Sequence, residues 1–130
     1  SNSKMPALAD VSIAPLPAPE VVTGSTRMKA GTAQKLVLNM ITTASMIKLG
    51  YVYSNLMIHV QMKNEKLRER GRRTIMSATD TDYATADRVL KQALGDIKTA
   101  IVMLKRKVTR KEAQRRLKQS RLNLRAALAE

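Results

Sequence analysis

Hydrophobic and polar positions divide the chain into an irregular first part and a helical remainder. In residues 1–22, four prolines rule out a long helix, and a short alternation over residues 9–14 is typical of a strand or an extended arm. A lone strand of this length is not stable in water. The segment is therefore expected to pack on the rest of the molecule or on a partner, as a last strand or as an extended arm.

A long helix is predicted after residue 31. Apolar residues recur there at steps of three or four, and further apolar neighbours widen the face to almost the whole circumference: Leu36, Val37, Leu38, Met40, Ile41, Ala44 and Ile47. A helix this apolar is usually buried from several sides. Thr32 is expected to cap its start and Gly50 to end it.

The spacing of apolar residues changes twice in the middle of the chain. Residues 56–62 alternate, with Leu56, Ile58, Val60 and Met62 on one side, which favours a short extended segment. Residues 64–78 then form a charged amphipathic pattern that predicts a helix. Its expected inward positions are Leu67, Ile75 and Ala78.

The last fifty residues contain the clearest helix signals. Asp82, Asp96 and the capping box Thr109–Glu112 each precede an apolar pattern of helical period. The first of these helices is expected to end at Gly95, and a last turn or two follows from Ser120. The apolar positions expected to point inward are Ala86, Val89, Leu90, Ala93, Leu94, Ile97, Ala100, Ile101, Leu104, Ala113, Leu117, Leu124, Ala127 and Leu128.

These patterns predict a mainly α fold. An extended N-terminal arm is followed by a long buried helix and then by a small bundle of three or four helices, because short connections make neighbouring helices pack on one another. The predicted divisions are residues 1–30, then 31–79 for the long helix and the connecting amphipathic helix, and 80–130 for the bundle.

Composition excludes several classes of function. The 130 residues contain no cysteine and one histidine, which excludes a disulfide scaffold, a thiolate metal site, a cysteine nucleophile and a multi-histidine metal cluster. No apolar run approaches the ~18 residues that span a membrane. We expect no secretory signal, because the first residues lack a basic region followed by an apolar stretch and a cleavage site. We expect a soluble cytosolic protein.

Positive charge is concentrated in the second half of the chain. The sequence has 24 lysines and arginines against 10 acids, and residues 105–125 hold ten bases with Glu112 as the single acid. Such a block suggests nucleic acid or an acidic partner, or else the solvated face of a helical bundle. No aromatic residue interleaves these bases, which argues against stacking on single-stranded bases. Nucleic acid is therefore less favoured than a solvated helical face.

Residues 23–35 form the segment best suited to chemistry. Two glycines allow turns, two hydroxyls and three cations can hold an anion, and the predicted first helical turn has no acid to neutralise the helix dipole. The pattern is not a P-loop, so a nucleoside triphosphate is not implied. An ordinary threonine cap beside surface lysines remains the alternative. The candidate phosphate-binding residues are Gly24, Ser25, Thr26, Arg27, Lys29 and Lys35.

Residues 20–40 resemble the signature of N-acetylmuramic acid 6-phosphate etherases, which also marks the related glucokinase regulatory proteins. The likeness continues through residues 55–57, 60–61, 64–67 and 97–128 and covers essentially the whole chain. Residues 9–13 resemble the last strand of the family's sugar-isomerase-type α/β domain. The helical part is similar to ubiquitin-associated folds.

The resemblance implies a bacterial cytoplasmic lyase of peptidoglycan recycling. The family cleaves the D-lactyl ether of N-acetylmuramic acid 6-phosphate to N-acetylglucosamine 6-phosphate and D-lactate, by elimination and water addition, without metal or cofactor and as a homodimer. Its acid and base glutamates lie in the α/β domain, upstream of the segment matched here. The resemblance therefore implies sugar-phosphate binding and dimer packing, no catalytic residue in this chain, and no activity for the chain alone.

Two side chains could be mistaken for catalytic groups. His59 stands where relatives commonly carry aspartate, but it has no visible orienting partner, and Glu20 has no second carboxylate with which to form an acid–base pair. Two alternatives to the etherase remain. One is a non-catalytic phosphosugar sensor like the regulatory relatives, and the other, less favoured, is a basic helical module that binds nucleic acid.

Overall fold

The computed structural model describes residues 4–129 and divides the chain into two units. The first unit ends at Ser45 and the second begins at Met46. Each unit is built differently, because the first has few elements to pack together and the second has many.

The first unit consists of an extended arm and most of one helix. A short 3-10 turn at Met5–Leu8 leads into irregular extended chain, and helix α1 runs over Lys29–Lys48, ending inside the second unit. Residues 9–20 form no strand. Of the two alternatives, the extended arm is therefore the one observed, because no partner strand is available among the described residues.

Helix α1 forms as predicted but begins three residues early and is not buried in this chain. None of its residues is buried, and six of its large apolar side chains are 48% to 63% exposed. They are Leu36, Leu38, Met40, Ile41, Met46 and Ile47. The prediction of a buried helix is wrong for this chain, since only the extended arm belongs to the same unit as most of α1.

The second unit is mainly helical, as predicted. Its elements are strands β1 (Val52–Tyr53) and β2 (Leu56–Met57), then helices α2 (Glu65–Thr79), α3 (Tyr83–Gln92), α4 (Ile97–Arg106), α5 (Arg110–Gln119) and α6 (Leu124–Ala129). The two strands pair antiparallel, with Val52 opposite Met57 and Tyr53 opposite Leu56. From residue 56 to residue 62 the side chains alternate between covered and exposed, which confirms the predicted extended segment.

Helix α4 lies at the centre of the second unit. It contacts α2, α3, α5 and α6, and its six residues from Ile97 to Val102 are all buried. Large side chains from the surrounding elements complete this core: Ile58, Ile75, Val89, Leu90, Leu117 and Leu124. Burying a Leu, Ile or Val side chain contributes about 1.5–3 kcal/mol, so packing on α4 is the main source of stability.

The three helix caps predicted in the second unit are confirmed by direct hydrogen bonds. The side chain of Asp82 accepts from the N–H of Thr85 at 2.9 Å, and that of Asp96 accepts from the N–H of Thr99 at 3.1 Å. Thr109 Oγ1 accepts from the N–H of Glu112 at 3.3 Å. These bonds satisfy amides at the helix starts that have no partner within the helix.

Leu94 departs from the sequence prediction. It was expected to point inward, but it is 73% exposed and has a φ of 52°. Helix α3 ends at Gln92, and the N–H of Gly95 donates to the carbonyl of Leu90 at 2.9 Å. This closing turn rotates Leu94 off the helical pattern and away from the core.

The turn after α1 meets the connection between α5 and α6. Gly50 has a φ of 71°, the left-handed conformation that ends helices. A Cβ atom at residue 50 would lie 3.3 Å from the carbonyl oxygen of Leu122. Lys98 Nζ donates to the same oxygen at 3.1 Å and lies 5.5 Å from the ring centre of Tyr51.

Burial lowers the pKa of Lys98, and the charge of Asp96 opposes that shift.

Among the residues from 4 to 129, no helix is both long enough and apolar enough to cross a membrane.

A matched pair of glycine substitutions tests the turn at residue 50. We expect Gly50→Ala to lower the free energy of unfolding by about 1–2 kcal/mol, because alanine disfavours the left-handed conformation. Gly31→Ala is the control, since Gly31 lies in α1 and a Cβ there would meet no atom within 4 Å. We expect it to be neutral or stabilising. Equal effects in thermal unfolding followed by circular dichroism would contradict the role given to Gly50.

A second test uses the ion pairs at the start of α5. Hydrogen bonds and charge from Arg115, with further help from Arg116, lower the pKa of Glu112 to about 2 against an opposing effect of desolvation. A lowered pKa in the folded state stabilises the protein above the ordinary pKa of about 4.5, and the effect is lost as pH falls towards 2. We expect Glu112→Gln to be less stable than the parent at pH 7 and equally stable near pH 2. Urea unfolding at both pH values measures the difference, and a constant gap would contradict the pairing.

Candidate functional site

The segment before α1 folds back on the helix start through Glu20. Both oxygens of the half-buried Glu20 carboxylate accept backbone N–H groups: Oε2 from Lys29 at 3.1 Å and Oε1 from Ala30 at 3.2 Å. An acid is favoured here, because the N-terminus of a helix carries positive partial charge and unpaired amides. Glu20 therefore caps α1 from nine residues upstream.

This cap corrects two sequence predictions. The first turn of α1 does lack an acid of its own, but the expectation that its dipole is left without a neutralising charge is wrong, because Glu20 supplies one. Thr32 is not the cap either. It lies inside the helix, and its N–H donates to the carbonyl of Met28 at 3.0 Å.

A reverse turn shapes the middle of the loop. The N–H of Ser25 donates to the carbonyl of Val22 at 3.0 Å, and Gly24, the third residue of this turn, has a φ of 82°. Glycine adopts this conformation without strain, whereas other residues disfavour it. The turn presents Ser25 and Thr26 immediately before the helix.

A cleft of about 340 Å³ lies beside this turn. It is lined by residues 17–20, residues 23–26 and Ala30. Three of the candidate residues, Gly24, Ser25 and Thr26, therefore border the same cavity, and Ser25 is half-buried within it. Hydroxyl and backbone N–H groups at the rim of such a cleft can bind an anionic group.

The three candidate cations occupy different environments. Arg27 is exposed and has no hydrogen bond or ion pair with another described residue. Lys29 Nζ donates to the carbonyl of Pro19 at 2.5 Å, which fixes the ammonium within the loop. Lys35 is exposed on α1, about 9 Å along the helix axis from Lys29, and does not border the cleft. Arg27 does not border the cleft either, but it follows Thr26, which does, and its charge is left available.

His59 lies in the second unit and is held by an aromatic contact. Its ring stacks on that of Tyr51, with ring centres 4.1 Å apart and planes inclined by 10°. No carboxylate is recorded as its hydrogen-bond partner in the described part of the chain, so nothing there orients it as a base. Within residues 4–129, no group of three histidine, aspartate or glutamate side chains lies close enough together to hold a metal ion.

Glu20 is the residue whose role the sequence pattern did not reveal. The pattern suggests at most one half of a catalytic pair, whereas in the structure its carboxylate accepts two backbone N–H groups. The available signal was a helix whose first turn has no acid, preceded by a glycine-containing loop and an isolated glutamate. Capping motifs usually act over three residues, so a cap nine residues upstream is not recognised by spacing.

Comparison with known proteins identifies the relatives of the chain. A scan against protein-family models finds no match. Individual relatives are nevertheless similar, and three of them are named N-acetylmuramic acid 6-phosphate etherase. The protein of Salinibacter ruber is 57% identical over 108 residues, which cover 83% of this chain and 35% of that protein.

Two further etherases match over a longer part of the chain. That of a Geobacillus species is 55% identical over 120 residues, covering 92% of this chain and 41% of the relative. That of Klebsiella aerogenes is 52% identical over 128 residues, covering 98% of this chain and 43% of the relative. The chain thus spans about two fifths of the length of these proteins. It matches the C-terminal part of the N-acetylmuramic acid 6-phosphate etherase family.

Proposed function

We propose that this chain acts as the phosphosugar-binding C-terminal portion of an etherase that cleaves N-acetylmuramic acid 6-phosphate. The whole enzyme would release D-lactate and N-acetylglucosamine 6-phosphate by elimination followed by addition of water. The observation that carries the proposal is identity of 52% to 57% to three etherases, over 83% or more of the chain in each of them. The cleft beside Gly24–Thr26 supplies the structural support.

The chain is proposed to bind substrate rather than to perform the proton transfers. Elimination needs a base for the proton beside the carbonyl and an acid for the departing lactate oxygen. Up to Ser45 the sequence contains two acids, Asp10 and Glu20. The first is exposed, and the carboxylate of the second already accepts two amides. Neither geometry suits a proton-transferring pair, so the acid and base are assigned to the rest of the enzyme.

The phosphate of the substrate is proposed to lie at residues 24–27. The hydroxyls of Ser25 and Thr26 and the backbone of Gly24 border the cleft, and the guanidinium of Arg27 has no competing partner among the described residues. A charge-assisted contact between an arginine and a phosphate contributes about 1.5–3 kcal/mol. Lys29 is proposed to support the loop through Pro19, and Lys35 to remain a surface charge.

The exposed apolar surface of α1 supports a second proposal, that the enzyme is a homodimer packed through this helix. Large apolar side chains lie around α1, and exposed apolar patches of this kind normally mark interfaces. A second copy is the proposed occupant, because α1 presents apolar residues on more than one face and two identical helices could cover one another. We propose no membrane partner and no nucleic-acid partner.

Arg27→Ala tests the phosphate assignment. The variant is made in a full-length etherase in which this chain replaces the corresponding C-terminal part. We expect affinity for N-acetylmuramic acid 6-phosphate to fall by roughly tenfold or more, and affinity for the unphosphorylated sugar to stay unchanged, because one charge-assisted contact is lost. Calorimetric titration of both ligands measures the difference.

Lys4→Ala is the matched control for Arg27→Ala, since Lys4 is another exposed cation outside the loop. It should leave both affinities unchanged. If Arg27→Ala weakens both ligands equally, or neither, residues 24–27 do not bind the phosphate and the assignment is wrong.

Substitution of an exposed leucine tests the dimer proposal. We expect the chain to sediment as a dimer at high micromolar concentration and Leu38→Asp, in α1, to shift it towards monomer, because the charge would be desolvated in an apolar interface. Leu94→Asp is the control, since Leu94 is an even more exposed leucine in the second unit, at 73% against 54% for Leu38. A parent chain that sediments as a monomer, or equal effects of both variants, would contradict packing through α1.

A further inference from the structure

We propose that Glu20 is a positioning residue. By occupying the N-terminus of α1, it keeps the phosphate of the substrate away from the helix end and leaves it to Ser25, Thr26 and Arg27. This inference rests on the proposed phosphosugar function, and it adds a role for a carboxylate that neither binds the substrate nor transfers its protons.

The first step is competition between two places for an anion. The start of α1 offers adjacent N–H groups on Lys29 and Ala30 together with the positive end of the helix dipole, which is a favourable position for phosphate. Both amides are already bonded to Glu20, at 3.1 and 3.2 Å. The negative charge of Glu20 also disfavours a second anion at that point. Glu20 and Ala30 border the same cleft as Gly24–Thr26, so an incoming phosphate is directed to the Ser25 and Thr26 side of that cleft.

The second step is fixation of the loop at both ends. Glu20 contacts Lys29 and Ala30 across nine and ten residues, and Lys29 Nζ returns to the carbonyl of Pro19 at 2.5 Å. Residues 21–28 thus form a closed loop with the turn at Gly24 in its middle. A loop that is ordered before binding loses less conformational entropy when it takes up a ligand. Removing the carboxylate would both loosen this loop and free the helix end.

These two effects predict tighter binding of inorganic phosphate and slower turnover of the phosphosugar when the carboxylate is removed. Inorganic phosphate needs only donors and positive charge, so it should bind more tightly once the amides of Lys29 and Ala30 are free. The phosphosugar must also place its lactyl ether against the catalytic groups of the enzyme, so displacement of its phosphate should slow turnover. A carboxylate that merely stabilised the fold would not produce an opposite pair of changes.

The experiment uses the same full-length etherase carrying this chain, with variants Glu20→Ala and Glu20→Gln. Release of lactate from N-acetylmuramic acid 6-phosphate gives kcat, and competitive inhibition by inorganic phosphate gives its Ki. For Glu20→Ala we expect kcat to fall by roughly tenfold or more and the Ki of phosphate to fall severalfold. Glu20→Gln keeps one oxygen acceptor and should lie between the parent and Glu20→Ala.

Asp10→Ala is the matched control, because it removes the other acid of the first unit from an exposed position. It should change neither kcat nor the Ki of phosphate. Thermal unfolding of each variant shows whether it is folded, and if Glu20→Ala fails to fold, the same comparison is made with Glu20→Gln.

The outcomes separate this inference from the proposed function. If Arg27→Ala selectively weakens the phosphosugar while both Glu20 variants leave kcat and Ki unchanged, Glu20 has no positioning role and the proposed function stands. If kcat falls and the Ki of phosphate rises in both Glu20 variants, Glu20 only supports the fold, which also overturns the inference. If Arg27→Ala has no phosphate-selective effect, the proposed function itself is wrong.

Discussion

The second unit depends on the burial of helix α4 on all of its sides. Its residues from Ile97 to Val102 are buried in succession, so the helix needs neighbours on every side. Helices α2, α3, α5 and α6 supply them, and their short connections leave few other arrangements. The high content of lysine and arginine is compatible with this core, because the long charged side chains lie mostly on its outer surface. Lys98 is the exception, and it is tolerated because its ammonium reaches the carbonyl of Leu122 and the ring of Tyr51.

In the first unit, by contrast, the apolar helix has little other structure to cover it. Helix α1 is rich in leucine, methionine and isoleucine, yet none of its residues is buried. Its start is held instead by polar contacts, in which Glu20 and Lys29 tie the loop to the helix. Local order in this unit thus comes from hydrogen bonds and charge, whereas order in the second unit comes from apolar packing. The proposed phosphosugar site lies in the first unit, where binding groups can remain accessible.

The sequence predicted most of the helical fold because its signals are local. Asp82, Asp96 and Thr109 cap their helices as expected, and the alternation over residues 56–62 appears as extended chain. Prediction failed where contacts connect distant residues or where a turn overrides a pattern. Periodicity placed Leu94 in the core, but the turn at Gly95 rotates it outward.

The candidate site was predictable in part for the same reason. The glycine turn and the hydroxyls at Ser25 and Thr26 are local features, and the structure places them beside one cleft. The cap from Glu20 bridges nine residues, so no short-range motif revealed it. For the same reason the sequence overestimated how free the start of α1 is to hold an anion. It also grouped Arg27, Lys29 and Lys35 with residues 24–26, although none of the three borders the cleft.

The contact of Gly50 and Lys98 with the carbonyl of Leu122 has a consequence for synthesis on the ribosome. The beginning of the second unit is joined there to its last turn, and α6 adds Leu124 and Ala127 to the core only after every other element has been made. Chains lengthen by roughly 5–20 residues per second, so α4 is synthesised before the last of its neighbours exists. The unit therefore completes its core after translation of its final helix, and its earlier helices must tolerate an interval with one side of α4 uncovered.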